Sequence, residues 1–149
     1  MTLGQRHDPV PSYWFEVDIA PGSWMVARQV SGLAETIETE KIREGGLTQS
    51  FHELPGRRTW PHLVLKGAVV NDLELFVWFT SVRPEMVTPA RRNISVSLKS
   101  SDGKTVANWN VIGAYPVSYS GPTLDANASQ QSVAFEQVEL AHMGMVRDV

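Results

Sequence analysis

The residue pattern with the most chemical promise is Glu136-x-x-Glu139-x-x-His142. On a helix, a carboxylate and an imidazole three residues apart share a face and can hold half of a di-iron site. Such a site needs a second Glu-x-x-His from another helix, and the sequence has none. The run from Ser132 to His142 also reads as a strand, on which neighbours alternate between faces. Glu136, Val138, Leu140 and His142 then share one side while Phe135, Gln137 and Glu139 take the other, so Glu139 points away from its would-be co-ligands. The other histidines, His7, His52 and His62, have no ligand spacing. No serine sits in a Gly-x-Ser-x-Gly elbow. Leu54-Pro55-Gly56-Arg57-Arg58 lacks the Gly-Lys-Ser/Thr ending of a phosphate loop. Cysteine is absent, which removes thiol catalysis, thiolate metal sites and disulfides together. The expectation is therefore no catalytic residues, no metal and no cofactor. The five tryptophans, Trp14, Trp24, Trp60, Trp78 and Trp109, could line an apolar pocket, as in a small-ligand-binding β-barrel or a split-barrel cofactor enzyme. Their places on predicted core strands and a helix make packing the default, and no cofactor signature accompanies them.

The chain has 149 residues, 42% of them hydrophobic, which predicts one domain burying about 70% of its unfolded-chain surface. No stretch approaches the roughly 20 apolar residues of a membrane span, and the first residues carry no apolar signal-peptide core. Cytoplasmic synthesis and no membrane insertion of the subunit are the expectation. The 13 basic residues are outnumbered by 16 acidic ones, for a net charge of −3. That balance gives no footing for nucleic-acid specificity. Arg57-Arg58 and Arg91-Arg92 read accordingly as solvated or subunit-pairing arginines.

The stretch from Trp60 to Phe79 organises the rest. Its Val- and Leu-rich first part, broken by Gly67, predicts a buried strand. Asn71 is a good N-cap, Glu74 stands three residues on as in a capping box, and Asp72 suits the positive end of the helix dipole. Leu73, Phe76, Val77 and Phe79 recur at helical spacing until Pro84 ends the pattern, which predicts one short amphipathic helix set against a β protein. Before it come a flexible arm over residues 1–11 and a strand over Tyr13–Asp18. A turn at Ala20-Pro21-Gly22-Ser23 leads into a second strand over Trp24–Val30. Ala34–Arg43 reads as a strand wetted on one side, with Thr36, Glu38 and Glu40 on that face. Glu44–Thr59 has no periodic pattern and reads as a long loop carrying Leu47, Phe51 and Leu54. After the helix, Asn93–Lys99 alternates with Ile94, Val96 and Leu98 inward. Asp102-Gly103 turns the chain into Val106–Ile112. Val117–Ser120 is a further strand, Gly121–Ser129 a polar loop, and residues 143–149 a tail. Seven or eight strands at this spacing predict a sandwich or barrel.

Several of these segments, in order, resemble the inner tube protein of contractile injection systems, phage-tail-like particles whose tube is related to contractile phage tail tubes. They are Tyr13-Trp14-Phe15-Glu16-Val17, Val30-Ser31-Gly32-Leu33, Leu54-Pro55-Gly56-Arg57-Arg58, Leu63-Val64-Leu65-Lys66-Gly67, the aromatic helix through Trp78-Phe79, Arg92-Asn93-Ile94-Ser95-Val96 and Trp109-Asn110-Val111. The most specific are Ala114-Tyr115-Pro116-Val117-Ser118, Gly121-Pro122-Thr123-Leu124-Asp125-Ala126 and Glu136-Gln137-Val138-Glu139-Leu140-Ala141-His142-Met143-Gly144. The resemblance runs from about Ser12 to Met145. It implies a mainly β subunit, a sandwich or barrel with one short α-helix, in hexameric rings with a continuous luminal β-barrel. It makes residues 43–59 an extended inter-ring loop, with Phe51, Leu54, Arg57 and Arg58 as interface candidates. Glu35, Glu38, Glu40 and Lys41 become candidates for lumen or inter-subunit charge. The implied partners are further copies of the chain, a sheath protein, baseplate or hub and tube-capping proteins, and cargo in the lumen. The implied particle is assembled in the cytoplasm and in some systems released. A contractile phage tail tube and a type VI secretion ring protein are the neighbouring readings.

Overall fold

The computed structural model describes residues 13–43, 45, 51–68, 73–86, 90–121 and 135–148. The chain runs β1 (Trp14–Ala20), β2 (Ser23–Ser31), β3 (Thr36–Arg43), β4 (Phe51–Thr59), β5 (Leu63–Ala68), α1 (Glu74–Ser81), β6 (Arg92–Lys99), β7 (Thr105–Ser120), β8 (Phe135–Ala141) and β9 (Gly144–Arg147). Six strands pair in the order β6-β1-β2-β5-β8-β7, and β6 also pairs with β7, closing a barrel. Closure removes the free edges that an open sheet would expose. The 16-residue β7 is long enough to serve two partners along one edge: β9 from Trp109 to Ile112 and β8 from Tyr115 to Ser120.

The registers explain the core. Val17 pairs with Val96 and Met25, Leu65 with Val138 and Val30, Leu63 with Leu140, and Ile94 with Val111. Cross-strand partners share a face, so these pairs turn inward together, and Val17, Leu63, Leu65, Val96, Val111 and Leu140 are wholly buried. Each such side chain contributes about 1.5–3 kcal/mol. Ile94 and Val96 are buried as the alternation predicts, with Leu98 half-buried.

Helix α1 follows β5 and lies at the end of the barrel where β1 ends and β2 and β8 begin. Leu75 approaches Ile19, Met25 and Glu136 around a gap of only about 10 Å³. The helix is where it was expected, but its buried face is not. Leu75 and Trp78 enter the core, whereas Leu73, Phe76 and Val77 are 71%, 48% and 52% exposed. The cap position falls on Leu73 with no side-chain cap hydrogen bond; Asn71 and Asp72 lie outside the described residues. Glu74 instead accepts a hydrogen bond from Arg92 Nη1 at 2.7 Å.

Four other expectations are corrected. The predicted loop over Glu44–Thr59 contains β4, paired antiparallel with β3 from Thr36↔Thr59 to Arg43↔Phe51. The β3 strand is exposed along its whole length rather than wetted on one side, and it belongs to this separate two-stranded sheet, outside the barrel. Val106–Ile112 and Val117–Ser120 are parts of one strand, because Gly113 (φ 62°) and a bulge between Pro116 and Ser118 absorb the irregularity. The predicted tail contains β9. The expected arm over residues 1–11 and the loop from Pro122 to Ser129 lie outside the described residues.

Candidate assembly site: the hairpin arm and the helix face

The β3–β4 hairpin leaves the barrel after β2 and returns into β5, where Ser31 pairs with Val64. This is the end of the β2–β5 ribbon opposite the one from which the chain enters α1. The subunit therefore projects an arm at one end and an aromatic helix at the other. The exit is built by Gly32, whose φ of +89° suits glycine and whose hypothetical Cβ would stand 2.1 Å from the His62 carbonyl oxygen. A bulge between Ile37 and Thr39 kinks the arm. Gly56 fits there because a Cβ would come within 3.1 Å of the Glu38 carbonyl oxygen.

The arm brings most of the sequence-predicted site residues onto one hairpin and divides them between its faces. Glu40 lies opposite Leu54, next to the Ile42–His52 pair; Lys41 lies opposite Glu53 on the other face. Ile42 and Leu54 are 42% and 47% exposed. Lys41 and Glu53 form an exposed ion pair at 3.8 Å, worth little in water. At the base, Arg58 Nη1 donates to Glu35 Oε1 at 2.8 Å, so these two candidates are engaged with each other. Arg57 and Glu38 are exposed, and Phe51 opens β4 opposite Arg43.

Three contacts fix the root of the arm to the barrel, and sequence reasoning missed them all. His62 Nδ1 lies 2.7 Å from Glu139 Oε1. His142 Nε2 lies 3.1 Å from the Pro61 carbonyl oxygen. The Trp60 ring stands 6.4 Å from the His142 ring, with its Nε1 buried and without a hydrogen-bond partner. The only local signal was the Glu139–His142 spacing, which suggested metal chemistry. The strand geometry sends Glu139 to His62 instead, 77 positions away in sequence.

At the helix end, the Phe76 and Phe79 rings meet Tyr119 at 5.8 and 6.1 Å. Burial, together with the neighbouring Glu136 carboxylate, holds the Tyr119 phenol above its ordinary value of 10.0, so it stays neutral and caps the cluster with a hydroxyl. Four of the tryptophans have separate surroundings: Trp78 is in the core, Trp24 is 56% exposed, Trp60 packs on His142, and Trp109 carries the Arg147 guanidinium over its ring at 5.6 Å. Among the described residues no three His, Asp or Glu side chains come together as a metal site, and no helix is long and apolar enough to cross a membrane.

The family model of the T4-like virus tail tube protein gp19 matches residues 11–146. Among solved structures, the chain is similar to one from the sheath–tube complex of PVC, an extracellular contractile injection system, in the extended state. The two are 26% identical with a TM-score of 0.78, over 96% of this chain and 93% of that one. A chain of the anti-feeding prophage tube-terminating cap is 25% identical with a TM-score of 0.77, over 95% and 91%. Hcp1 from Flavobacterium johnsoniae shares the fold at 18% identity and a TM-score of 0.61, over 90% and 94%. No curated protein sequence matches the chain.

Proposed function

The chain belongs to the T4-like virus tail tube protein gp19 family, and we propose on that footing that it is the inner tube subunit of a contractile injection system. Six-membered rings of the subunit stack into a rigid conduit, which a contracting sheath drives through a target envelope with cargo in the bore. The observation that carries this reading is the β3–β4 arm. It is exposed on both strands and contacts chiefly itself, and a two-stranded hairpin alone is at best marginally stable in water. Both of its strands are edges, with backbone groups that a neighbouring chain can satisfy. Contacts that close by rotation make a ring, whereas head-to-tail contacts between an arm end and a helix end remain open and grow into a stack.

In this reading the tube does no chemistry. The work comes from the sheath, and the subunit contributes stiffness, polar surfaces and repeating contacts. Leu54 and Ile42, with Phe51, Arg57 and Arg58 beside them, form the inter-ring contact. Glu35, Glu38, Glu40 and Lys41, on or beside the arm, contribute charge to the lumen or between subunits. A sheath, a baseplate and a cap are the further partners; similar chains were solved in a sheath–tube complex and in a tube-terminating cap. Those similarities favour an injection system over a true phage tail, and the particle is assembled in the cytoplasm.

Electron microscopy of the purified full-length chain tests the reading. Six-fold rings, alone or stacked into hollow tubes, are the expected result. A chain that stays monomeric at high concentration by light scattering overturns it.

A further inference from the structure

The turn that joins β6 to β7, the pair that closes the barrel, carries a reactive dipeptide. Asp102-Gly103 is the only place in the sequence where an aspartate or asparagine precedes a glycine. Glycine puts no side chain beside its own nitrogen, so that nitrogen is an unhindered nucleophile for the carboxyl group before it. Attack of the Gly103 nitrogen on Asp102 Cγ forms a cyclic imide. A new N–Cγ bond replaces the amide N–H and the carboxyl C–OH, whose hydrogen and hydroxyl leave together as water. Water then reopens the ring. Cleavage at Cγ restores aspartate, whereas cleavage at the Asp102 main-chain carbonyl leaves isoaspartate, with the backbone running through Cβ and longer by a methylene.

The folded turn occupies both reacting groups. The Gly103 N–H donates to the Ser100 carbonyl oxygen at 2.9 Å, so the attacking nitrogen has its proton in use. Gly103 takes φ +81°, as the last residue of a three-residue hairpin loop does. Asp102 Oδ1 accepts from the Ser100 hydroxyl and from the Lys104 backbone N–H at 3.3 Å, and the Lys104 ammonium stands 3.6 Å from Oδ2. Donors of this kind favour the charged carboxylate, and the Ser100 bond contributes most to holding the Asp102 pKa below 3.8. Only a protonated carboxyl can lose its oxygen as water, so the bonds that orient the group also keep it in the unreactive form. The Lys104 side chain is 83% exposed, where water weakens its pull. Ser100 is 6% exposed, fixed at the foot of the turn.

We infer that Asp102-Gly103 is a site of isoaspartate formation, and that Ser100 is the positioning residue whose hydroxyl holds the reaction back in the folded chain. The consequence falls on the barrel's closing seam. A longer backbone at position 102 displaces the Gly103 N–H from the Ser100 carbonyl and misaligns Lys99 with Thr105, the pair nearest the turn.

The test ages the purified full chain, held warm but below its unfolding midpoint. Isoaspartate is measured by enzymatic carboxyl methylation and placed by peptide mapping. Wild type is compared with Ser100→Ala and with Ser101→Ala, since Ser101 is exposed. Slow formation at residue 102 is expected in wild type and S101A, and a several-fold faster rate in S100A. Wild type denatured in urea is expected to react several-fold faster than the native chain. The pH profile separates carboxylate positioning from general loosening of the turn. Ionisation of the carboxyl shuts the reaction down, and between about pH 3 and about pH 6, around the ordinary aspartate value, the shut-down is expected at higher pH in S100A than in wild type. Where S100A does not fold, Ser100→Thr and Ser100→Val, alike in shape but not in the hydroxyl, replace it, with the valine variant the faster. An S100A rate equal to that of wild type, an unmoved pH profile, product at another residue, or native wild type reacting as fast as the denatured chain overturns the inference.

Discussion

The Trp78 indole N–H donates to the Ala90 carbonyl oxygen at 2.7 Å, inside the core. This bond ties the middle of α1 to the segment entering β6. Arg92, two residues on, reinforces the tie by lying over the Trp78 ring at 5.0 Å while pairing with Glu74. Replacing Trp78 by Phe keeps an aromatic ring in the cavity but leaves a buried carbonyl without its donor. The expected loss is about 1–3 kcal/mol, read as a lower denaturant midpoint with an unchanged slope.

Gly32 and Gly22 both have positive φ, at +89° and +80°, yet they differ in surroundings. Alanine at position 22 meets nothing within 4 Å, so it costs only the backbone strain of about 1–2 kcal/mol. Alanine at position 32 adds a collision with the His62 carbonyl oxygen and must displace the root of the arm. Gly32→Ala is expected to lower the unfolding midpoint well beyond Gly22→Ala and to disturb arm-dependent assembly. Equal midpoints for the two variants would contradict this.

Legibility in the sequence divides along physical lines. The Pro21-Gly22 and Asp102-Gly103 turns and the inward set Ile94 and Val96 were readable because turn chemistry and period-two alternation are local. The face of α1 was not. An eight-residue helix makes about two turns, and with Leu73, Leu75, Phe76, Val77, Trp78 and Phe79 apolar, periodicity cannot choose among them. The Ala90 carbonyl, which no pattern marks, chose Trp78. The β4 strand was hidden by Pro55-Gly56, which reads as a turn; an arm strand with a free edge tolerates a proline that a central strand would reject. The arm's root was hidden because His62–Glu139 and Pro61–His142 join residues 77 and 81 positions apart.

Asp102 gives the fold a defined acid sensitivity. The Ser100 hydroxyl donates to its carboxylate, and the Lys104 backbone N–H adds a bond at 3.3 Å. Together they hold its pKa below the ordinary 3.8, the Ser100 bond contributing most. A carboxyl lowered by folding contributes stability that is fully present above the unfolded value and is lost as pH falls through the folded one. Wild type is therefore expected to be more stable than Asp102→Asn near neutrality, with the gap closing below about pH 4. Unfolding curves of the two proteins across that range check the sign; a gap that widens in acid would refute it.

The arm offers the sharpest separation of folding from assembly. Ile42 and Leu54 sit on adjacent rungs of one face, opposite His52 and Glu40, and both are more than two-fifths exposed. Neither belongs to the barrel core, so charges there have no apolar interior to disrupt. Ile42→Asp with Leu54→Asp is expected to change subunit stability by no more than about 0.5 kcal/mol per site, as for other surface substitutions. In an assembled tube the same carboxylates would enter an apolar contact, where an unpaired charge is strongly disfavoured, and every subunit of each ring would present two of them. Rings should still close while stacks fail to grow. Short isolated rings in micrographs, alongside an unchanged unfolding midpoint, are the expected pair of results; tubes of normal length would show that rings are joined through another surface.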